Sequence, residues 1–101
     1  MKKIVKPRQS GKTIEAIRIA SETGAYLIVH SMDEVVRVVH LASSLGLNIR
    51  HPVTFDEFLH RGGLRSSRVR NVVIDNADEF LARVFSGLTI EAATWTINDD
   101  N

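Results

Sequence analysis

Short runs of apolar and β-branched residues alternate with longer helical patterns along the whole of this chain. Five such runs fall at residues 3–5, 26–29, 49–54, 71–75 and 92–97. The second and fourth runs place apolar residues consecutively, which is typical of strands buried on both faces of a parallel sheet. Pro52 weakens the third run and favours a place at the margin of the sheet. The alternation therefore predicts an α/β fold with parallel strands joined by right-handed helical crossovers.

Helix boundaries are marked by capping patterns between these runs. Ser31 with Glu34, and Thr54 with Glu57, have the spacing of a capping box, in which a hydroxyl and a carboxylate bond the first backbone N–H groups. Glycines at positions 24, 46 and 62–63 provide helix ends. The expected helices are residues 13–23, one opening at Ser31, one opening at Thr54, and residues 76–85.

Composition limits the classes of protein that need to be considered. The chain has 101 residues and a net charge of +1, so we expect one domain over residues 1–101 and no global positive field for nucleic acid. It has no cysteine, which excludes disulfides and thiolate sites in these residues. No apolar run approaches the ~20 residues of a membrane span, and the start has no apolar signal segment. We expect a cytoplasmic protein that does not enter a membrane.

The most informative motif is a β-type run followed by a polar turn, Gly-Lys-Thr and a helix. Its last three residues match the phosphate-binding pattern G-x-x-x-x-G-K-[ST], whereas Lys6 stands at the first glycine position. Backbone N–H groups at such a helix start form a nest for anions, and a lysine there can reach the β- and γ-phosphates. The alternative is a solvated turn. The predicted nucleotide-binding residues are Pro7, Arg8, Gln9, Ser10, Gly11, Lys12, Thr13 and Ile14.

A second motif places Asp75 at the end of the fourth run. An aspartate there can hold Mg²⁺ together with the Thr13 hydroxyl, because both offer the hard oxygen ligands that this ion prefers. The alternative is that Asp75 caps the helix that follows. Asn76 comes next and cannot act as a general base near neutral pH. Asp78 and Glu79 are candidate substitutes, or they stabilise the helix start through its dipole.

With both motifs placed, the chain resembles the additional-strand P-loop NTPases, which include RecA-like motors, helicases and large terminases. Residues 8–13 look like the phosphate loop of phage terminases, and residues 73–79 are similar to the acidic strand end of helicases. The start also resembles small phage and prophage ATP-binding proteins. The resemblance implies a three-layer fold with helices on both faces of a mostly parallel five-stranded sheet in the order 5-1-4-3-2. It also implies a phage-encoded protein of the host cytoplasm that uses ATP and Mg²⁺.

The resemblance assigns roles to individual residues. It implies metal binding by Thr13 and Asp75, and a γ-phosphate sensor at Thr96, for which β-propensity is the alternative explanation. The residues to which it assigns catalytic roles are Lys12, Asp75, Asp78 and Glu79. Because Asn76 replaces the usual glutamate and we expect a single lobe, we expect Mg·ATP binding with weak or partner-dependent hydrolysis. The alternative is a non-hydrolysing adaptor that binds a protein or nucleic acid.

A basic segment precedes the fourth run, with arginines at positions 61, 65, 68 and 70. It would enter the sheet at the edge opposite the phosphate loop, so an arginine from it could reach a phosphoryl group only across an oligomer. Nucleic-acid contact through Arg61, Arg65, Arg68 and Arg70 is one interpretation, and a solvated basic loop is the other. A protein partner or a homo-oligomer is the remaining partner hypothesis.

Overall fold

The computed structural model describes residues 4–5, 11–60, 68 and 70–94. Within these ranges, four helices and three strands follow one another along the chain. The helices are α1 (Lys12–Thr23), α2 (Met32–Ser44), α3 (Phe55–His60) and α4 (Ala77–Val84). The strands are β1 (Tyr26–Val29), β2 (Val53–Thr54) and β3 (Val72–Ile74).

The sheet is parallel, with three strands in the order β2-β1-β3. The prediction of a three-layer fold built on five strands in the order 5-1-4-3-2 is therefore wrong. Residues 4–5 and 92–94, where the first and fifth strands were expected, form no strand. The order of the strands differs as well. Residues 26–29 were predicted as the second strand, at the edge of the sheet, but they form β1, which lies between β2 and β3.

Strand β1 is central, and its burial is consistent with that place. Its last three residues are all buried, as a strand with a neighbour on each side requires. Strand β2 has only two residues and follows Pro52, which has no N–H to donate, so it lies at the margin as expected. Strand β3 is less buried than its apolar sequence predicts, with Val72 42% and Ile74 37% exposed.

The main core lies between one face of the sheet and the helices α1 and α2. Leu27 and Val29 of β1 are buried in it, together with Ile17 from α1 and Val38 from α2. Because side chains alternate along a strand, Ile28 points to the opposite face, where α3 contacts β1 and β2. The helices thus fix both faces of the central strand.

Helix α4 is held to α3 by aromatic and ionic contacts. The ring of Phe80 meets that of Phe55 edge-on at 5.1 Å, and Arg83 pairs with Asp56 at 2.8 Å. No residue within α4 is buried. None of the helices in the described ranges has the length and apolarity that crossing a membrane requires.

Candidate functional site

The candidate site lies at the carboxyl edge of the sheet, where β1 and β3 end and α1 begins. Gly11 precedes α1 in the left-handed backbone region, at φ 85°, which a glycine adopts without strain. Lys12 and Thr13 then form the first turn of the helix. This start of α1 has the turn geometry of an anion site, and the first N–H groups of a helix have no partner within the helix itself.

The structure brings Thr13 and Asp75 together. The Thr13 hydroxyl donates a hydrogen bond to Oδ2 of Asp75 across 3.1 Å, although 62 residues separate them in sequence. Asp75 directly follows β3, and its backbone N–H donates to the carbonyl oxygen of Ile28 at 3.0 Å. Asp75 is held between β1 and α1 and is only 4% exposed.

Burial raises the pKa of the Asp75 carboxyl above its usual value. The hydrogen bond from Thr13 and the positive charge of Lys12 act against this and lower the pKa. The negative charge of Glu34 raises the pKa further, and the positive charge of Arg37 lowers it. The folded chain therefore places a carboxyl group where its charged form is disfavoured, and a cation at this point would offset the cost.

Two charged residues of α2 stand at the same edge, and sequence reasoning missed them. Arg37 binds Glu34 with two hydrogen bonds, at 2.8 and 3.1 Å, and this pairing lowers the pKa of Glu34. Both influence Asp75 electrostatically. A usable signal existed, because α2 begins directly after β1 and the first residues of such a helix lie at the carboxyl edge of a parallel sheet.

The residues after Asp75 start α4. Asn76 is left-handed, at φ 59°, a conformation that asparagine tolerates better than most residues. Its side chain makes no capping bond. Asp78 is exposed in the first turn.

Glu79 lies 4.0 Å from Nε2 of His30, beside an open depression of about 320 Å³ that these two residues line together with Arg83. Neither Thr13 nor Asp75 lines that depression.

Several predicted residues lie outside the described ranges. They are Pro7, Arg8, Gln9, Ser10, Arg61, Arg65 and Thr96. In the part of the chain that the structure describes, no three His, Asp or Glu side chains are grouped to hold a metal ion. Among the described residues, Asp75 and Thr13 could hold a Mg²⁺ ion here, through one carboxylate and one hydroxyl. Its remaining ligands would be water and phosphate oxygens, which is the usual way in which proteins bind this ion.

The chain matches no family model, no curated protein and no solved structure. Evidence on its function therefore comes from its own residues and geometry. The features that carry weight are the left-handed Gly11, the Thr13–Asp75 hydrogen bond and the buried carboxyl group.

Proposed function

We propose that the chain binds the phosphates of a nucleoside triphosphate, ATP in the first instance, together with Mg²⁺ between the start of α1 and Asp75. The observation that carries the proposal is the Thr13–Asp75 hydrogen bond, which joins two hard oxygen ligands at a helix start. Lys12 stands beside them and supplies positive charge for the phosphates. We also propose a cytoplasmic location, because a protein that binds Mg·ATP needs a compartment that contains it.

In this proposal each residue has a separate task. The backbone N–H groups that follow Gly11 bind phosphate oxygens, and the dipole of α1 favours their negative charge. Thr13 and Asp75 hold the metal ion, and binding it ionises the buried carboxyl group. The metal ion would neutralise phosphate charge and hold the triphosphate in one geometry.

Hydrolysis would require a group that accepts a proton from the attacking water. Asn76 cannot accept a proton near neutral pH, and its left-handed conformation gives it a backbone role at the turn from β3 to α4. Glu79 is the candidate base. It lies at this edge of the sheet, 4.0 Å from Nε2 of His30. We therefore propose slow or partner-dependent hydrolysis, and the alternative is a nucleotide-binding adaptor without turnover, which the Asn76 geometry favours.

Calorimetric titration with ATP in excess Mg²⁺ tests nucleotide binding. The wild-type chain should bind, and Lys12→Ala should weaken binding by about tenfold or more, since it removes a charged contact. The matched control is Arg18→Ala, which removes an exposed cation from the same helix and should leave the affinity unchanged. Absence of binding by the wild type, or equal affinity for wild type and Lys12→Ala, would contradict the proposal. If the wild type binds ATP but releases phosphate no faster than Lys12→Ala does, the result would favour the adaptor without turnover over an ATPase.

A further inference from the structure

Carboxylates are concentrated at the carboxyl edge of the sheet, where Lys12 and Arg37 also stand. Seven carboxylates stand just after the carboxyl ends of strands, in the turns and first helical turns: Asp33, Glu34, Asp56, Glu57, Asp75, Asp78 and Glu79. The net charge of +1 therefore hides an uneven distribution. A chain with a small net charge can still attract an anion locally if its acidic groups lie on another side.

The opposite edge, where the strands begin, carries arginines. Arg50 precedes β2, and Arg68 and Arg70 precede β3, and all three are exposed. Arg70 and Arg50 lie on opposite sides of β1. If the strand register is extended toward the amino edge, Arg70 is level with Gly24, and Arg50 is level with the next residue, Ala25. Two strand spacings, about 10 Å, separate these backbone positions. We call Arg50, Arg68 and Arg70 the basic amino edge.

Arg50 is held in a defined position at this edge. Its Nε donates a hydrogen bond to the carbonyl oxygen of Gly24 at 2.8 Å, and its Cζ lies 5.4 Å from the centre of the Tyr26 ring. No described residue bonds to its two terminal nitrogens. Arginine stacked on an aromatic ring is a common element of phosphate and nucleic-acid recognition. The sequence did not reveal this, because Tyr26 and Arg50 are 24 positions apart.

We propose that the basic amino edge binds the phosphate backbone of single-stranded nucleic acid. The arginines match phosphate groups, and the Tyr26–Arg50 pair adds a flat, partly exposed surface for a base. A single strand fits better than a duplex, because α1 and α2 end at this edge and neither presents a helix start to a groove. This site is separate from the proposed nucleotide site, which lies at the other edge.

Fluorescence anisotropy with a labelled oligothymidylate, measured between about 50 and 200 mM salt, tests this proposal. If all three arginines contact phosphates, the affinity of the wild type should fall about 20-fold over that range, since each contact to a single strand contributes a slope of about 0.7. The Arg68→Ala/Arg70→Ala variant should bind more weakly and lose only about threefold.

Controls separate a specific surface from general charge. Arg18→Ala removes an exposed arginine from α1, away from both proposed sites, and should keep the wild-type salt dependence. Arg68→Ala alone provides a second test in case the double variant does not fold. It should reduce the slope of log affinity against log salt concentration by about 0.7. The proposal is overturned if the wild type does not bind at about 50 mM salt, or if the single and double variants keep its slope. It is also overturned if labelled polyglutamate binds as tightly as the oligonucleotide.

Discussion

A carboxyl group that is 4% exposed is costly to ionise, and Asp75 is such a group. Its pKa in the folded chain lies above the ordinary value of 3.8, chiefly because of burial. The folded state therefore holds this proton more tightly than the unfolded state does. The stabilising contribution is fully present below pH 3.8 and is lost as the pH rises through the folded pKa.

We therefore predict that Asp75→Asn makes the ligand-free protein relatively more stable as the pH rises. The free energy of unfolding of the variant minus that of the wild type should increase from below pH 3.8 until Asp75 is ionised in the folded state, and then level off. Urea unfolding at a series of pH values measures this difference. The opposite contribution of Glu34, whose pKa is lowered, is present in both proteins and largely cancels. A difference that is constant or falls with pH would show that Asp75 is not disfavoured as an anion.

At the residue scale, part of the site could be predicted from sequence. The contact of Thr13 with Asp75 follows from two motifs and from the rule that parallel strands end at one edge. Glu34 and Arg37 form an ion pair beside them, but the sequence could not identify this pair as part of the site. Many charged pairs have the same spacing on a helix, and spacing alone does not show which face of α2 meets the site. The left-handed Asn76 was interpreted only as a missing base, although asparagine is also common at such turns.

At the scale of elements, α1 is bounded by two left-handed glycines, Gly11 and Gly24. An added Cβ would meet no atom within 4 Å at either position, so the cost of alanine arises from the backbone in both cases. We predict that Gly11→Ala and Gly24→Ala each lower the free energy of unfolding by about 1–2 kcal/mol. Only Gly11→Ala should also weaken Mg·ATP binding, because a phosphate would approach the backbone there. Denaturant unfolding and calorimetric titration of both variants check this, and equal nucleotide affinities would contradict it.

Capping was the local structure that sequence predicted best. The Thr54–Glu57 box is reciprocal, with the two side chains bonding each other's backbone N–H groups at 3.1 and 3.2 Å. In the Ser31–Glu34 box only the hydroxyl caps the helix, because the Glu34 carboxylate binds Arg37 instead. A capping pattern thus indicates where a helix begins, and tertiary neighbours decide which of its bonds form.

At the scale of the whole molecule, the class of the sheet could be predicted but its extent and order could not. Consecutive apolar residues indicated parallel strands, and β1, β2 and β3 are parallel. The resemblance implied a different order, whereas in the structure β1 lies at the centre and is the most buried strand. Apolar sequence did not ensure burial in β3, since α3 and α4 make few contacts with its outer face, where Val72 and Ile74 lie.

The most direct test of the central claim locates a bound metal ion on the molecule. Mn²⁺ accepts the same oxygen ligands as Mg²⁺ and broadens the NMR signals of nearby amide groups. With Mn·ATP bound, broadening should centre on the amides of Gly11, Lys12, Thr13 and Asp75 and should spare those of Arg50 and Arg70. Broadening centred away from the start of α1 and the end of β3, or no specific broadening at all, would contradict the account.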